Sequence, residues 1–229
     1  MKKLYERYHH VLAVIVYFVV YMTWFNYIER TKAAQYTDIH MNIDDKIPFC
    51  EYFIVPYLIW FLYVVGVVGY LMLKDKDDFY RNYTFLTTGM TIFLLVSTLF
   101  PNVQHLRPYV MPRDNVFSQM VLRLYATDTP TNLWPSIHVY NSIGAYLGVA
   151  HNRRLGSNKI VKRGCLILSC LIIMSTVFLK QHSMFDVLTA FLMAAVVYVF
   201  VYRLDLVVSL RRAYHLRKAA KESELYVVK

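Results

Sequence analysis

Three short stretches of the 229-residue chain gather side chains able to hold and pass on a phosphate group. They are Leu106-Arg107-Pro108, Pro135-Ser136-Ile137-His138, and the run from Ser175 through Lys180-Gln181-His182 to Asp186. His182 and Asp186 are four apart, so on a continuous helix they share a face. The carboxylate then holds one ring nitrogen and leaves the other free for attack, which is a nucleophile with its orienting group. His138 suits a general acid on the leaving alkoxide, because an ordinary histidine pKa of about 6.5 needs little tuning. Arg107 offers a planar fork for two phosphate oxygens and Lys180 a point charge. The Ser136 hydroxyl, with the amides opening the helix that follows, adds a further anion cradle. A histidine standing alone is more often structural, and His182 with Asp186 and His138 or His105 also fits a zinc set.

Composition sets the elements that must position these residues. The chain is 57% hydrophobic and 17% charged, too apolar for a soluble domain, so an all-α polytopic membrane protein forming one domain over 1–229 is expected. A spanning helix needs about 20 mostly apolar residues. Six segments come near that: Val11–Ile28, Tyr52–Leu73, Tyr83–Phe100, Ile137–Ala150, Cys165–Leu179 and Met184–Leu204, with no internal repeat among them. The first follows Met1-Lys2-Lys3 like a signal peptide, but its apolar stretch is long and no small-residue cleavage site follows, so it is expected to stay as an anchor. Cys50, Cys165 and Cys170 show no C-x-x-C spacing and read as packing residues.

Basic loops near helix ends resist translocation. With both termini inside, only Arg30, Lys32, Lys46, Arg107, Arg113, Arg123 and Lys180 of the 25 Lys+Arg fall outside. The net charge of +10 is then a topology signal plus attraction to anionic lipid heads, with 206–229 a basic cytoplasmic tail. The basic residues flank spans and carry no recognition motif, which disfavours nucleic acid as a partner. Two long loops, Glu29–Glu51 and Pro101–Pro135, lie outside, and all three polar stretches fall at outer helix ends. Within the second loop Val116, Phe117, Met120, Val121, Leu124 and Tyr125 recur at helical spacing, opposite Gln119 and Arg123, and predict an interfacial helix. Asp128, Pro130 and Asn132 read as a turn leading to Pro135-Ser136, with Pro135 in the first turn of the fourth helix.

These stretches resemble the signatures of the type 2 phosphatidic acid phosphatase superfamily, K-x6-RP, PSGH and SR-x5-H-x3-D. Here Arg107-Pro108 follow Phe100 in place of lysine, Ile137 replaces glycine, and Thr176 replaces arginine in Ser175-Thr176-x5-His182-x3-Asp186. The resemblance implies a bundle of six transmembrane helices with a core at about 83–205. It implies a phosphohistidine on His182 oriented by Asp186, His138 as acid and then base, Arg107 and Ser136 as phosphate ligands, and no metal or cofactor. Lys180, four residues after Thr176, would point the same way on a helix and stand in for the missing arginine. The branched residue in P-S-x-H and the Lys180-Gln181-His182 run are similar to the inositol phosphorylceramide and sphingomyelin synthase branch.

The expected activity is hydrolysis of a lipid phosphomonoester or diphosphate at the outer leaflet of the plasma membrane. Transfer of a phospho-headgroup to an alcohol uses the same residues and differs in whether water or a hydroxyl reaches phosphorus. A non-enzymatic or metal-binding membrane protein is the third reading. Serine proteolysis is disfavoured because Ser136 lacks a G-x-S-x-G-like setting, and transport because repeats and glycine-broken spans are missing.

Overall fold

A membrane offers the backbone no water to bond with, so apolar segments of this length close their hydrogen bonds internally as helices. In the computed structural model, which describes residues 2–31 and 33–227, and side chains over 11–31, 33–214 and 216–217, that is the outcome. Lys32, 228–229 and the side chains of most of the basic tail, counted in the charge reading, lie outside the described residues. Helix α1 spans Lys2–Arg30, α2 Ile54–Lys74, α3 Lys76–Leu99, α4 Val116–Thr127, α5 Ile137–His151, α6 Arg153–Ser157, α7 Lys159–Phe178, α8 Met184–Tyr198 and α9 Leu206–Val227, with a π-helical turn at Val199–Arg203 after α8.

Among the described residues, five helical stretches are long and apolar enough to cross a membrane: Val11–Arg30, Glu51–Lys74, Lys76–Leu99, Lys159–Phe178 and Met184–Tyr214. They mark an integral membrane protein. The expected fourth span is α5, whose 15 residues rise about 22 Å, short of a hydrocarbon core of about 30 Å. It stands at the centre, packed on α2, α3, α7 and α8, so few of its side chains meet the surroundings. Helices α3 and α7 begin before the expected Tyr83 and Cys165. Asp75 and Asn158 cap them in polar sequence, and a helix continues wherever its backbone is bonded, past the point where charge ends an apolar run. The amphipathic reading of α4 holds at Val121, which is buried against Ile54, Tyr57 and Leu179, while Val116 is exposed.

Polar side chains share the inside of the bundle with apolar clusters, and large apolar side chains cover its outside. Asn82, Asn141, Ser142, Ser169, Ser175 and Thr176 are buried, while Leu62, Leu99 and Leu192 are each at least two-thirds exposed. Small residues let α3 and α5 approach closely: a Cβ on Gly89 would lie 2.1 Å from the Tyr140 ring. Tyr140 donates to the Phe85 carbonyl at 2.8 Å and Asn82 to the Gly144 carbonyl at 2.7 Å. Cys165 packs beside Ile172 and Val149, whereas Cys170, expected as a packing residue, faces outward.

At the site end the two long loops are zipped together. Strand β1, Thr37–Asp38, pairs in parallel with β2, Asn102–Val103, and Val103 bridges to Thr131. The Asn102 side chain accepts from the amides of Leu133 at 2.8 Å and Trp134 at 3.2 Å. Ser136 is the N-cap of α5, and Pro135, expected in its first turn, stands ahead of the cap behind a cis Trp134-Pro135 bond.

Candidate active site

Helix α7 ends at Phe178, Lys180 takes a left-handed conformation with φ 53°, and His182 stands in the turn just before Ser183, the N-cap of α8. The expected shared helix face therefore does not exist, yet the two residues meet. Ser183 and Asp186 form a capping box, in which Asp186 Oδ2 accepts from the Ser183 amide at 3.2 Å. The same oxygen lies 3.0 Å from Nδ1 of His182 and accepts from Nε2 of Gln104 at 2.5 Å. His182 is 3% exposed and Asp186 fully buried. No described residue takes Nε2 of His182, which is the nitrogen a nucleophile needs free.

Asp44, buried in the segment between α1 and α2, holds this turn. Its Oδ2 accepts from the Ser183 hydroxyl at 2.6 Å and the Met41 amide at 2.8 Å, and its Oδ1 from the Met184 amide at 2.8 Å. Its carbonyl accepts from Nζ of Lys180 at 2.5 Å. Burial lowers the Lys180 pKa, opposed by the charges of Asp44 and Asp45. With α7 ended before it, Lys180 does not follow Thr176 along a helix, and its ammonium rests on Asp44. Phe100 is 59% exposed and Thr176 fully buried, donating to the Ile173 carbonyl.

His138 is the second residue of α5, two after Ser136, whose hydroxyl accepts from the Val139 amide at 3.3 Å. Its ring centroid lies 5.6 Å from that of His182, 4.7 Å from Tyr57 and 4.2 Å from Trp60. Nδ1 of His138 is buried without a partner. Arg107 reaches the same place through Gln181: it donates to Gln181 Oε1 at 2.6 Å and to the Tyr125 carbonyl at 3.2 Å, and lies 4.5 Å over the Tyr125 ring. Burial lowers its pKa, opposed by Asp128. Its Nε has no partner, so donors remain for an anion.

The turn residue Asp128 proves to be part of the site. Its Oδ2 accepts from the Tyr57 hydroxyl at 3.3 Å and from Gln181 Nε2 at 3.2 Å. Burial raises its pKa, against the pull of His182, Arg107 and the Tyr57 hydrogen bond. A cavity of about 50 Å3 between α1, α3 and the second loop reaches Asp128, His138 and His182, room for a few waters at about 10–15 Å3 each. Glu29, Asp128, His138 and His182 form its polar end, and Phe25, Phe93, Leu133 and Ile137 its apolar wall.

The structure thus brings together His138, His182 and Asp186, with Arg107 one residue removed, Ser136 capping the helix of His138, and Lys180 turned to Asp44. Sequence reasoning missed Asp44 and Gln104, which come from loops without local pattern, and read Asp128 only as a turn residue. It also missed Tyr57 and Trp60, whose i, i+3 spacing within an apolar run reads as lipid-facing. In comparisons with known proteins, no family model, no curated protein and no solved structure matches the chain.

Proposed function

We propose that the chain is a membrane enzyme that removes phosphate from a lipid phosphomonoester or diphosphate through a phosphohistidine on His182. The observation that carries this reading is the buried His182–Asp186 pair at 3.0 Å with the His138 ring beside it on a shared cavity. In the first step Nε2 of His182 attacks phosphorus, the bond to the lipid oxygen breaks, and His138 gives its proton to the leaving alkoxide. In the second, water displaces Nε2 from phosphorus and returns a proton to His138, releasing inorganic phosphate. Arg107 neutralises the equatorial oxygens, and Ser136 holds the helix start that carries His138. Neither step draws on a metal or cofactor.

The three motif matches to the type 2 phosphatidic acid phosphatase superfamily support this reading, and the Lys/Arg bias supports its orientation. On that basis α5 is a short sixth spanning element, both termini are cytoplasmic, and the site faces outward at the plasma membrane. The apolar wall of Phe25 and Phe93 beside α1 and α3 suits a lipid substrate arriving sideways from the bilayer. Among the described residues no three His, Cys, Asp or Glu side chains are grouped to hold a metal ion, and His105 is exposed. That geometry lends the metal-binding reading no support.

One observation favours headgroup transfer as a second reading. Tyr57 and Trp60 cover His138, which keeps bulk water from the base of the second step and favours an alcohol acceptor bound in the site. The deciding experiment offers the purified protein phosphatidate, a polyprenyl diphosphate and a phosphodiester lipid, with and without diacylglycerol, and follows free phosphate and new lipid. Free phosphate without acceptor supports hydrolysis, and acceptor-dependent lipid supports transfer. Formation of neither free phosphate nor new lipid would count against an enzyme at this site.

A further inference from the structure

A cleft with a basic rim lies at the opposite end of the bundle from His182, where α2 meets α3 and α5 turns into α6. It has a volume of about 420 Å3 and is lined by Lys74, Arg153 and Arg154, with Tyr70, Asn152 and Ser157 around them. All three cations are exposed, and none has a carboxylate partner among the described residues. Asp75, which also borders the cleft, accepts from the amides of Asp77 and Asp78 at 3.1 Å each. Asp77 is held by Arg211 and Arg212, Asp78 by Arg81 and Asn152, and Asp205 by Arg81. Asp77, Asp78 and Asp205 are thus engaged elsewhere, and Asp75 is the one carboxylate among the residues lining the cleft. Asp75 offsets only part of the charge of Lys74, Arg153 and Arg154, so the hollow keeps an excess of positive charge that an anion from outside relieves.

The corner that carries the two arginines is firmly built. Asn152 accepts from the amides of Arg154 at 3.2 Å and Leu155 at 2.9 Å, and donates to Asp78 at 2.9 Å. The chain folds back so tightly that a Cβ on Gly156 would lie 2.6 Å from the Ala150 carbonyl oxygen. Basic residues that only signal topology need neither a fixed corner nor a common hollow. We propose that this cleft binds a phosphate group, with Arg153 and Arg154 supplying guanidinium forks, Lys74 a point charge, and Tyr70 a hydroxyl. The group belongs either to a phospholipid head of the adjacent leaflet or to free phosphate. Leu73, next to Lys74 and 76% exposed, sets apolar surface beside the charge, as a lipid ligand requires. The site is separate from His182 and does not depend on the reaction proposed there.

The test uses the purified full chain in phosphatidylcholine nanodiscs, with a rising fraction of phosphatidylglycerol in one arm and rising inorganic phosphate in the other. Thermal midpoint and the number of retained anionic lipids, counted by native mass spectrometry, are the readouts. One or both ligands should raise the midpoint. In the triple variant Lys74→Gln, Arg153→Gln, Arg154→Gln the apparent affinity should fall about a hundredfold. A lipid-arm response identifies a headgroup and a phosphate-only response a free anion, and both support the site. Equal responses in native and triple variant, or no response in either arm, overturn it. The single variants Arg153→Gln and Arg154→Gln retain the remaining inner cations and should weaken binding by smaller steps, so a loss caused by misinsertion is told apart.

Discussion

Asp186 Oδ2 sits 3.0 Å from Nδ1 of His182 across a helix cap instead of along a helix face. One carboxylate oxygen therefore does two things: it completes the capping box of α8 and orients the histidine. Its other oxygen is buried without a partner, so the Ser183 amide, His182 and Gln104 all converge on Oδ2.

Asp186→Asn should separate those two duties. The cap is worth about 1 kcal/mol, so the thermal midpoint should move by only a few degrees. The amide cannot support an imidazolium, and kcat should fall about a hundredfold or more. A variant with near-native kcat would show that the carboxylate is only a cap.

Asp44→Ala should act on stability and rate together. It leaves the Ser183 hydroxyl and the Met41 and Met184 amides without their acceptor, at about 1–3 kcal/mol for buried donors. The turn that carries His182 should loosen, lowering both the midpoint of thermal unfolding and kcat, measured on the same preparation.

Arg107→Lys replaces a fork by a point charge. The lysine cannot reach Gln181 Oε1 and the Tyr125 carbonyl at once, as the arginine does, and turnover should drop about tenfold to a hundredfold. An unchanged steady-state rate would remove Arg107 from phosphate binding.

Asp128→Asn tests the buried carboxylate through pH. Burial raises its folded pKa above the ordinary value of 3.8, so the folded state holds the proton more tightly than the unfolded one. Below the ordinary carboxylate range both states are protonated and the substitution is neutral. As pH rises through that range, ionisation costs the folded state more, and the amide, which still accepts from Tyr57, avoids this. The variant should match the native midpoint in acid and equal or exceed it at neutral pH, read by thermal unfolding across pH.

Much of this was legible in the sequence, for identifiable reasons. His182, Asp186 and His138 stand out because ionisable groups at helix ends in so apolar a chain are few. Their neighbours do not. Gln104 reaches Asp186 only because Asn102 pins one loop to another, and Tyr57 and Trp60 differ from lipid-facing aromatics only in rotational phase on α2. Lys180 illustrates the converse: a spacing argument assumes a continuous helix, and the left-handed residue at that position ends it. The fold shows the same limit: Ile137–Ala150 stands out in the sequence as an apolar segment, but the central place of α5 depends on Gly144 and Gly148, which let α3 close in.

The central claim is a covalent phosphorus–nitrogen bond at His182, and trapping it is the most direct measurement. The purified protein is mixed with phosphatidate carrying a labelled phosphate, quenched in alkali, which phosphohistidine survives, and digested for peptide mapping. The account predicts label on the peptide containing His182, and none there in His182→Ala, which should also lose turnover while still inserting. Turnover in native protein with no label on that peptide, or undiminished turnover in His182→Ala, would contradict it.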